Sequence, residues 1–176
     1  MATVGLGIDV GKASVDAATT DGRVKRSFAR TDKGLAELLA ELKEKGVAVS
    51  TAVLEASGGY ELAVLKALHA GGIPVVRVQP ARARSFAFGL GKRAKTDAID
   101  AAVLARMAEL QAQRLAEVWA NRDEGLPVET PEEALILASI IEKETSIPEE
   151  RGTVASVFVN RLREGMRLQT DPTVIY

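Results

Sequence analysis

The chain changes character near residue 113, and this change limits what can fold as one piece. Residues 1–114 carry 17 Lys and Arg against 12 Asp and Glu, whereas residues 115–176 carry 6 against 12. The net charge of −1 is therefore the sum of two opposite halves. Charge asymmetry of this size indicates parts with different partners. We expect a domain with its own function, followed by an unrelated segment.

Composition restricts the chemistry that either part can perform. The 176 residues are 47% hydrophobic and 27% charged, which is typical of a globular protein. The chain has no cysteine, which excludes disulfides and thiol catalysis, and its single histidine, His69, excludes a multi-histidine zinc site within one chain. Carboxylates are therefore the candidate catalytic groups. Because we find no run of about 18 apolar residues and no signal-peptide pattern, we expect a cytoplasmic protein without a membrane segment.

The N-terminal part alternates strand-like and helix-like segments. The predicted strands cover residues 3–10, 13–19, 23–28, 47–54 and 73–78, and the predicted helices cover residues 31–46, 58–70 and 96–112. Asp21-Gly22 is a hairpin turn signal, and Thr31 or Asp32 can cap the first helix. This order predicts an α/β fold, in which helices cover a mixed sheet with parallel members.

The C-terminal part is predicted to be mainly helical. Residues 120–129 are acidic and turn-like, and Thr130-Pro131 followed by Glu133 is a well-formed helix start. A second helix is predicted over about residues 149–163. We therefore divide the chain into a domain over residues 1–112, a junction over 113–130 and a helical segment over 131–176.

Four acidic residues of the N-terminal part form a candidate metal site. Asp9 lies in the first apolar strand, Glu55 follows another, and Asp97 and Asp100 share a face at a helix start. Carboxylates that converge at strand ends suit Mg²⁺, and two such ions can clamp the attacking and leaving oxygens of a phosphodiester. Taken singly, Asp9 can be a turn or edge residue, and Asp97 can simply complement a helix dipole.

A basic stretch over residues 77–95 is the candidate nucleic-acid interface. It contains six Lys and Arg residues and no acidic residue, with Phe86 and Phe88 among them. Basic residues beside a carboxylate cluster suit phosphodiester cleavage, because the cations hold the phosphate backbone. A solvated basic helix face is the alternative. The candidate binding residues are Arg82, Arg84, Lys92, Arg93 and Lys95.

Three blocks of this part resemble the signature blocks of DEDD transposases. They are Gly7-Ile8-Asp9-Val10-Gly11-Lys12, Leu54-Glu55-Ala56-Ser57-Gly58-Gly59-Tyr60-Glu61 and Arg93-Ala94-Lys95-Thr96-Asp97-Ala98-Ile99-Asp100-Ala101. In this insertion-sequence family the recombinase is guided by a bridging RNA. The resemblance implies a RuvC-like, ribonuclease-H-type fold in which Asp9, Glu55, Asp97 and Asp100 are the catalytic tetrad that binds Mg²⁺ or Mn²⁺.

The same resemblance has consequences for partners and activity. It implies DNA and a guide RNA as partners and a homo-oligomer as the assembly. The family's second domain, which supplies a nucleophilic serine, has no counterpart in the sequence, so we do not expect strand exchange from this chain alone. The block at residues 7–11 is also similar to the opening of actin-like sugar kinases. Lys12 and the short chain disfavour this alternative.

Glu142 is the candidate catalytic residue of the C-terminal part. Residues 134–141 are nearly apolar all round, which predicts a helix buried on most sides that ends at this glutamate. A glutamate that leaves an apolar surface is desolvated, which raises its pKa and suits a general acid. The alternative is a solvated helix terminus.

Residues 133–145, 154–162 and 165–176 together resemble the endolytic murein transglycosylases, the YceG-like proteins. The resemblance implies that Glu142 is an acid/base that cleaves the glycan strands of peptidoglycan, and that Gln169, Thr170 and Asp171 belong to the substrate cleft. The family's membrane anchor and upstream domain have no counterpart in the sequence. We therefore expect a chimeric chain whose C-terminal segment is a truncated and inactive piece of such an enzyme.

Overall fold

The protein folds as two compact units, over residues Met1–Arg114 and Leu115–Tyr176. A computed structural model describes residues 4–91 and 97–170, with the backbone alone for residues 97–100. In the part of the chain that it describes, the strands are β1 (Val4–Val10), β2 (Ser14–Thr19), β3 (Lys25–Ala29), β4 (Val49–Glu55) and β5 (Val75–Val78). The helices are α1 (Asp32–Glu44), α2 (Glu61–Ala70), α3 (Pro80–Gly89), α4 (Asp97–Ala120), α5 (Pro131–Glu144) and α6 (Arg151–Arg163), with a 3₁₀ turn at Pro148–Glu150.

The N-terminal unit is built on one mixed sheet with strand order β3-β2-β1-β4-β5. β1, β2 and β3 pair antiparallel as a meander, whereas β1, β4 and β5 pair parallel. Each parallel connection runs through a helix, as a parallel pair requires. The predicted α/β fold with a mixed sheet is therefore confirmed, and β1 and β4 lie at its centre.

The first face of the sheet packs against α1 and α2. Alternate residues of β1, such as Leu6 and Ile8, are fully buried there together with Leu38 of α1 and Val64 of α2. The helix start predicted at Thr31 is confirmed, because its hydroxyl accepts a hydrogen bond from the Gly34 N–H at 3.2 Å. The period-2 pattern of the strands and the 3.6-residue pattern of the helices thus meet in one apolar core.

The second face of the sheet lies against α4, with backbone almost touching backbone. A Cβ atom at Gly7 would lie 1.9 Å from the Ala101 carbonyl oxygen, and one at Gly5 would lie 2.3 Å from the Ala105 carbonyl oxygen. Only glycine allows an approach of this kind. The two glycines therefore fix how closely α4 approaches β1.

Three helices of the first unit differ from the sequence prediction. α2 begins at Glu61 instead of residue 58, since Gly58 and Gly59 have φ angles of 69° and 104°, which a right-handed helix does not allow. α3 was not predicted, and it begins at Pro80, a residue suited to the first helical position. α4 starts close to its predicted position and continues past residue 112 to Ala120.

The C-terminal unit consists mainly of α5 and α6. The hydroxyl of Thr130 caps α5 by accepting a hydrogen bond from the Glu133 N–H at 3.1 Å, as the sequence predicted. The prediction that α5 is buried on most sides is wrong: none of its residues is buried, and Leu135 and Ile136 are 44% and 60% exposed. Its own unit offers α5 too few packing elements to cover an apolar surface that runs all round the helix.

Candidate functional site

Asp9 and Glu55 lie side by side at the centre of the sheet. Ile8 of β1 pairs in parallel register with Leu54 of β4, so the next residues along the two strands are these two acids. Both are half-buried and stand at the carboxyl ends of their strands. Asp9 shares the sheet face of Gly7, which lies against α4. Glu55 shares the face of Val53, which packs against Leu104 of α4. The structure therefore brings the two acids together beneath α4.

Asp16 is a third acid in the same row, and the sequence analysis missed it. It pairs directly with Asp9 in the antiparallel ladder between β1 and β2, so the two side chains share a sheet face. Like charges directly opposite one another are destabilising unless a cation or another partner compensates them. The short β1–β2 connection, in which the Gly11 N–H bonds to the Ser14 carbonyl at 2.9 Å, fixes this register. The short turn between β1 and β2 was therefore the sequence signal from which the pairing of Asp16 with Asp9 could have been predicted.

The structure describes the side chains of two members of the predicted tetrad, Asp9 and Glu55. Asp97 and Asp100 lie outside the residues with described side chains, although α4 begins at Asp97. Among the described residues, no three His, Cys, Asp or Glu side chains lie close enough together to hold a metal ion. The carboxylates of Asp9 and Glu55 are hard oxygen donors of the kind that Mg²⁺ prefers, so the residues present fit a divalent cation. Two carboxylates would supply part of the coordination of such an ion.

The loop after Glu55 is organised by Glu61, to which the sequence analysis assigned no role. Glu61 is only 3% exposed, and one carboxylate oxygen accepts hydrogen bonds from the Gly59 N–H (2.8 Å), the Ser57 N–H (3.1 Å) and the Ser57 hydroxyl (3.0 Å). Hydrogen bonds from its own N–H, from Gly59 and from Ser57 hold the pKa of Glu61 at about 2, against the opposing effect of burial. The carboxylate is therefore charged at neutral pH.

Two arginines connect the loop after β4 to neighbouring parts of the sheet. Arg77 of β5 places its guanidinium 3.3 Å from the second carboxylate oxygen of Glu61. Arg30 donates hydrogen bonds of 2.9 and 2.6 Å to the Lys12 carbonyl and lies 4.8 Å from the centroid of the Tyr60 ring. Arg30 thus joins the loop after β1 to the loop after β4. Arg77 belongs to the loop structure, although it lies in the basic stretch.

The candidate nucleic-acid residues are described only in part. Arg82 and Arg84 are both exposed on α3, with Ala83 buried between them. Lys92, Arg93 and Lys95 lie outside the described residues. Phe88 is 71% exposed on the same helix, so an aromatic ring lies near the described cations. This surface has the residue types that bind a phosphate backbone and stack on bases.

Glu142 is not desolvated, and the expectation that it leaves a buried helix is wrong. Its side chain is 60% exposed at the end of α5, and its carboxylate lies 2.8 Å from the guanidinium of Arg151. The cause is the exposure of α5 itself, since a helix with no buried residue cannot shield a carboxylate at its end. The environment expected to suit Glu142 to general-acid catalysis is therefore absent in this geometry.

Of the predicted substrate-cleft residues, Thr170 contacts the last residue of α5. Thr170 is buried, and its hydroxyl donates to the carboxylate of Glu144, two residues beyond Glu142. Gln169 has a positive φ of 51°, and Asp171 lies outside the described residues. The concavity of this unit is an apolar groove of about 420 Å³, with Ile136, Leu137, Ile140, Leu162 and Leu168 in its lining. Glu142 does not line this groove.

Comparison with known proteins gives a different family for each part. Residues 6–125 match a transposase family of the DEDD type, and residues 88–176 match the YceG-like family. The chain is 55% identical over 42 residues to the endolytic murein transglycosylase of Bacillus subtilis (strain 168), a match that covers 24% of this chain and 12% of that enzyme. Both are families of enzymes. The resemblance to each family that the sequence suggested is therefore confirmed.

A solved structure shows the same fold as the first unit. It is T. thermophilus RuvC in complex with Holliday junction substrate, which aligns with a TM-score of 0.50 and 17% identity over 64% of this chain and 96% of that one. At this identity the likeness concerns the fold, and it confirms the RuvC-like class. Among the described residues, no helix is long and apolar enough to cross a membrane.

Proposed function

Since the chain belongs to the DEDD transposase family over residues 6–125 and to the YceG-like family over residues 88–176, we propose that this chimeric chain acts through its N-terminal unit. The proposed activity is metal-dependent phosphodiester chemistry on nucleic acid. The observation that carries the proposal is the register of the central strands, which places Asp9 beside Glu55 on the sheet face that α4 covers.

The path of α4 along β1 supports the assignment of Asp97 and Asp100 to the tetrad. Gly5 lies against Ala105 and Glu109, and Gly7 lies against Ala101 and Ala105. A step of two residues along the strand therefore matches a step of about four along the helix, since about 6 Å of chain is covered in each case. The next step pairs Asp9 with the turn of α4 that begins at Asp97. We infer that Asp97 and Asp100 complete the site.

The residues that would hold the cation are then Asp9, Glu55, Asp97 and Asp100, and Mg²⁺ or Mn²⁺ suits an all-carboxylate site. Such ions, when bound, stabilise charge on the attacking and leaving oxygens of a phosphodiester. The chain's own contribution is to place the acids in register and to fix the loops beside them. Asp16 adds negative charge to the same row and strengthens the need for a cation.

The proposed substrate is DNA, to which a bridging RNA guides the protein. We propose that the chain acts as a homo-oligomer in the cytoplasm. Support for nucleic acid comes from the exposed Arg82 and Arg84, and from the basic residues Lys92, Arg93 and Lys95 that follow them in sequence. Strand exchange by this chain alone is not proposed.

A thermal-shift experiment tests the metal site. We expect millimolar Mn²⁺ to raise the melting temperature of the N-terminal unit, because a ligand that binds only the native state stabilises it, by about 2.7 kcal/mol at 100 times its Kd. Asp9→Asn should remove most of this gain. Glu37→Gln is the matched control, since it removes one charge from an exposed position of α1 and should keep the full shift. A wild-type melting curve that Mn²⁺ leaves unchanged contradicts the proposal.

A second candidate function is cleavage of peptidoglycan glycan strands by Glu142. The observation in its favour is the 55% identity over 42 residues to the Bacillus subtilis enzyme. The geometry around Glu142 disfavours it, because the carboxylate is exposed and paired with Arg151. We therefore place the function of this chain in its first unit.

A further inference from the structure

Glu61 is a buried carboxylate whose described donors, apart from its own N–H and Arg77, all belong to a single loop. The loop runs from Ala56 to Tyr60, between β4 and α2, and contains both Ser57 and Gly59. Burying a carboxylate is costly unless hydrogen bonds compensate for the lost water, and here a backbone N–H from each of two residues and one hydroxyl do so. The carboxylate therefore fixes the shape of this loop.

The loop begins immediately after Glu55. The Ala56 N–H donates to the Val78 carbonyl at 3.0 Å, which carries the pairing with β5 one residue past Glu55. The next residue, Ser57, is held by Glu61 through both its N–H and its hydroxyl. The backbone that leaves Glu55 is consequently anchored at two successive residues, once to the sheet and once to Glu61.

The turn that follows would not hold its shape without this anchor. Gly58 and Gly59 both have left-handed φ angles, and glycine has more conformational freedom to lose than any other residue. The hydrogen bond from Gly59 to Glu61 restricts this freedom, and the 3.3 Å contact from Arg77 ties the carboxylate itself to β5. A network in which each member is satisfied keeps one geometry.

We propose that Glu61 is a positioning residue that holds the Glu55 carboxylate in the orientation that binds a divalent cation, and that it thereby sets the affinity of the site for the ion. This inference rests on the proposed function. Groups that hydrogen-bond to a metal ligand typically change metal affinity 10- to 100-fold when they are replaced, and the lower end of this range applies to a residue that acts through the backbone. Glu61 reaches the ligand through two peptide units, Ala56 and Ser57.

The experiment measures Mn²⁺ affinity by isothermal titration calorimetry on the full chain at neutral pH. We expect Glu61→Gln to weaken binding roughly tenfold, because the amide no longer offers a charged acceptor to Ser57 and Gly59. Glu41→Gln is the matched control. Glu41 makes ion pairs with Lys45 and Arg26 at 2.7 and 3.5 Å on α1, so its loss tests the effect of a missing carboxylate elsewhere and should leave the affinity unchanged.

Hydrogen exchange supplies a second readout on the same variants. The amides of Ser57 and Gly59 should exchange faster in Glu61→Gln, whereas those of β1 should not change. If Glu61→Gln does not fold, Ser57→Ala removes one donor to the same oxygen, and we expect it to weaken Mn²⁺ binding by less than Glu61→Gln would.

Three results would overturn the inference. Wild-type Mn²⁺ affinity in folded Glu61→Gln, or in Ser57→Ala when it is used instead, removes the positioning role and leaves the proposed function standing. An equal loss of affinity in Glu41→Gln shows a general effect of lost charge. A wild-type chain that binds no Mn²⁺ removes the proposed function and the positioning role together, whereas a failure of the positioning role alone leaves wild-type binding intact.

Discussion

Both units of this protein combine predicted helices with apolar sequence, yet among the described residues only the N-terminal unit buries a large core. In the N-terminal unit, residues of the sheet and of two helices, such as Leu6, Leu38 and Val64, are at most 1% exposed. In the described part of the C-terminal unit, Phe158 is the buried large hydrophobic residue, and Ile136 is 60% exposed. Burial therefore depends on how many partners an element has, and a sheet offers two faces for helices to cover.

The same contrast governs the two glutamates that matter most. Glu61 is buried and charged because a loop on a rigid sheet supplies its donors. Glu142 lies within the residues that match the YceG-like family, but its side chain is 60% exposed among the described residues, and Arg151 pairs with it at the surface. A motif supplies a residue type, whereas its environment determines the chemistry that the residue can perform.

The largest effect that we expect tests the packing contrast with one substitution made twice. Leu38→Ala, in buried α1, should lower the free energy of opening measured by native-state hydrogen exchange in β1 by about 2–5 kcal/mol. Leu135→Ala, in α5 where this leucine is 44% exposed, should lower the value for α5 by less than about 1 kcal/mol. Equal losses would show that α5 is as well packed as α1.

A smaller effect sharpens the contrast between buried and exposed carboxylates. The folded-state pKa of Glu61 is about 2, below its ordinary value of 4.5, so its stabilisation is present above pH 4.5 and is lost as the pH falls toward 2. Glu61→Gln should cost about 1.5–3 kcal/mol at pH 7 and progressively less in acid.

Urea denaturation at several pH values measures this dependence. The control, Glu41→Gln, removes the two ion pairs with Lys45 and Arg26 near the surface and should cost about 1 kcal/mol or less. A Glu61→Gln penalty that is the same at pH 7 and pH 2.5 would mean that the loop does not depend on the charged carboxylate.

The smallest expected effect concerns the C-terminal unit as an enzyme. We expect the chain to release no anhydro-muropeptides from purified peptidoglycan, and Glu142→Gln to give the same baseline, because a general acid needs substrate within hydrogen-bond reach and water largely excluded. Mass spectrometry of the soluble products checks this. Products that disappear in Glu142→Gln would reverse the comparison and place the activity in the second unit.

The sequence predicted the sheet better than the site. Alternating and β-branched runs located all five strands, and Thr31 and Thr130 identified two helix starts, because these signals act within a few residues. In contrast, the residues that surround Glu55 are determined by the geometry of the loops beside it. Glu61 was visible only as an acid after Gly58 and Gly59, a position that gives no sign of burial.

Burial of α5 could not be predicted for a different reason. A helix that is apolar on all sides needs packing partners to bury its surface, and the sequence does not show whether the unit that contains α5 provides such partners. Asp16 was missed because pairing across β1 and β2, not adjacency in sequence, brings it opposite Asp9. The register of this hairpin depends on the geometry of the short turn between the two strands, which a hydrophobic pattern alone does not specify.

Gly5 and Gly7 allow α4 to lie so close to β1 that the space between the two backbones cannot accommodate a side chain at either position. A methyl group at Gly7 would meet a carbonyl oxygen at 1.9 Å and would push the helix outward by an ångström or more. That displacement is of the same order as the 2.0–2.1 Å between Mg²⁺ and a ligand oxygen. Under the proposed function, such a shift would separate the acids of β1 and β4 from those at the start of α4, which one cation is proposed to join. A substitution at either position would thus have two effects, a loss of stability from the overpacked contact and a change in the distance between β1 and the start of α4.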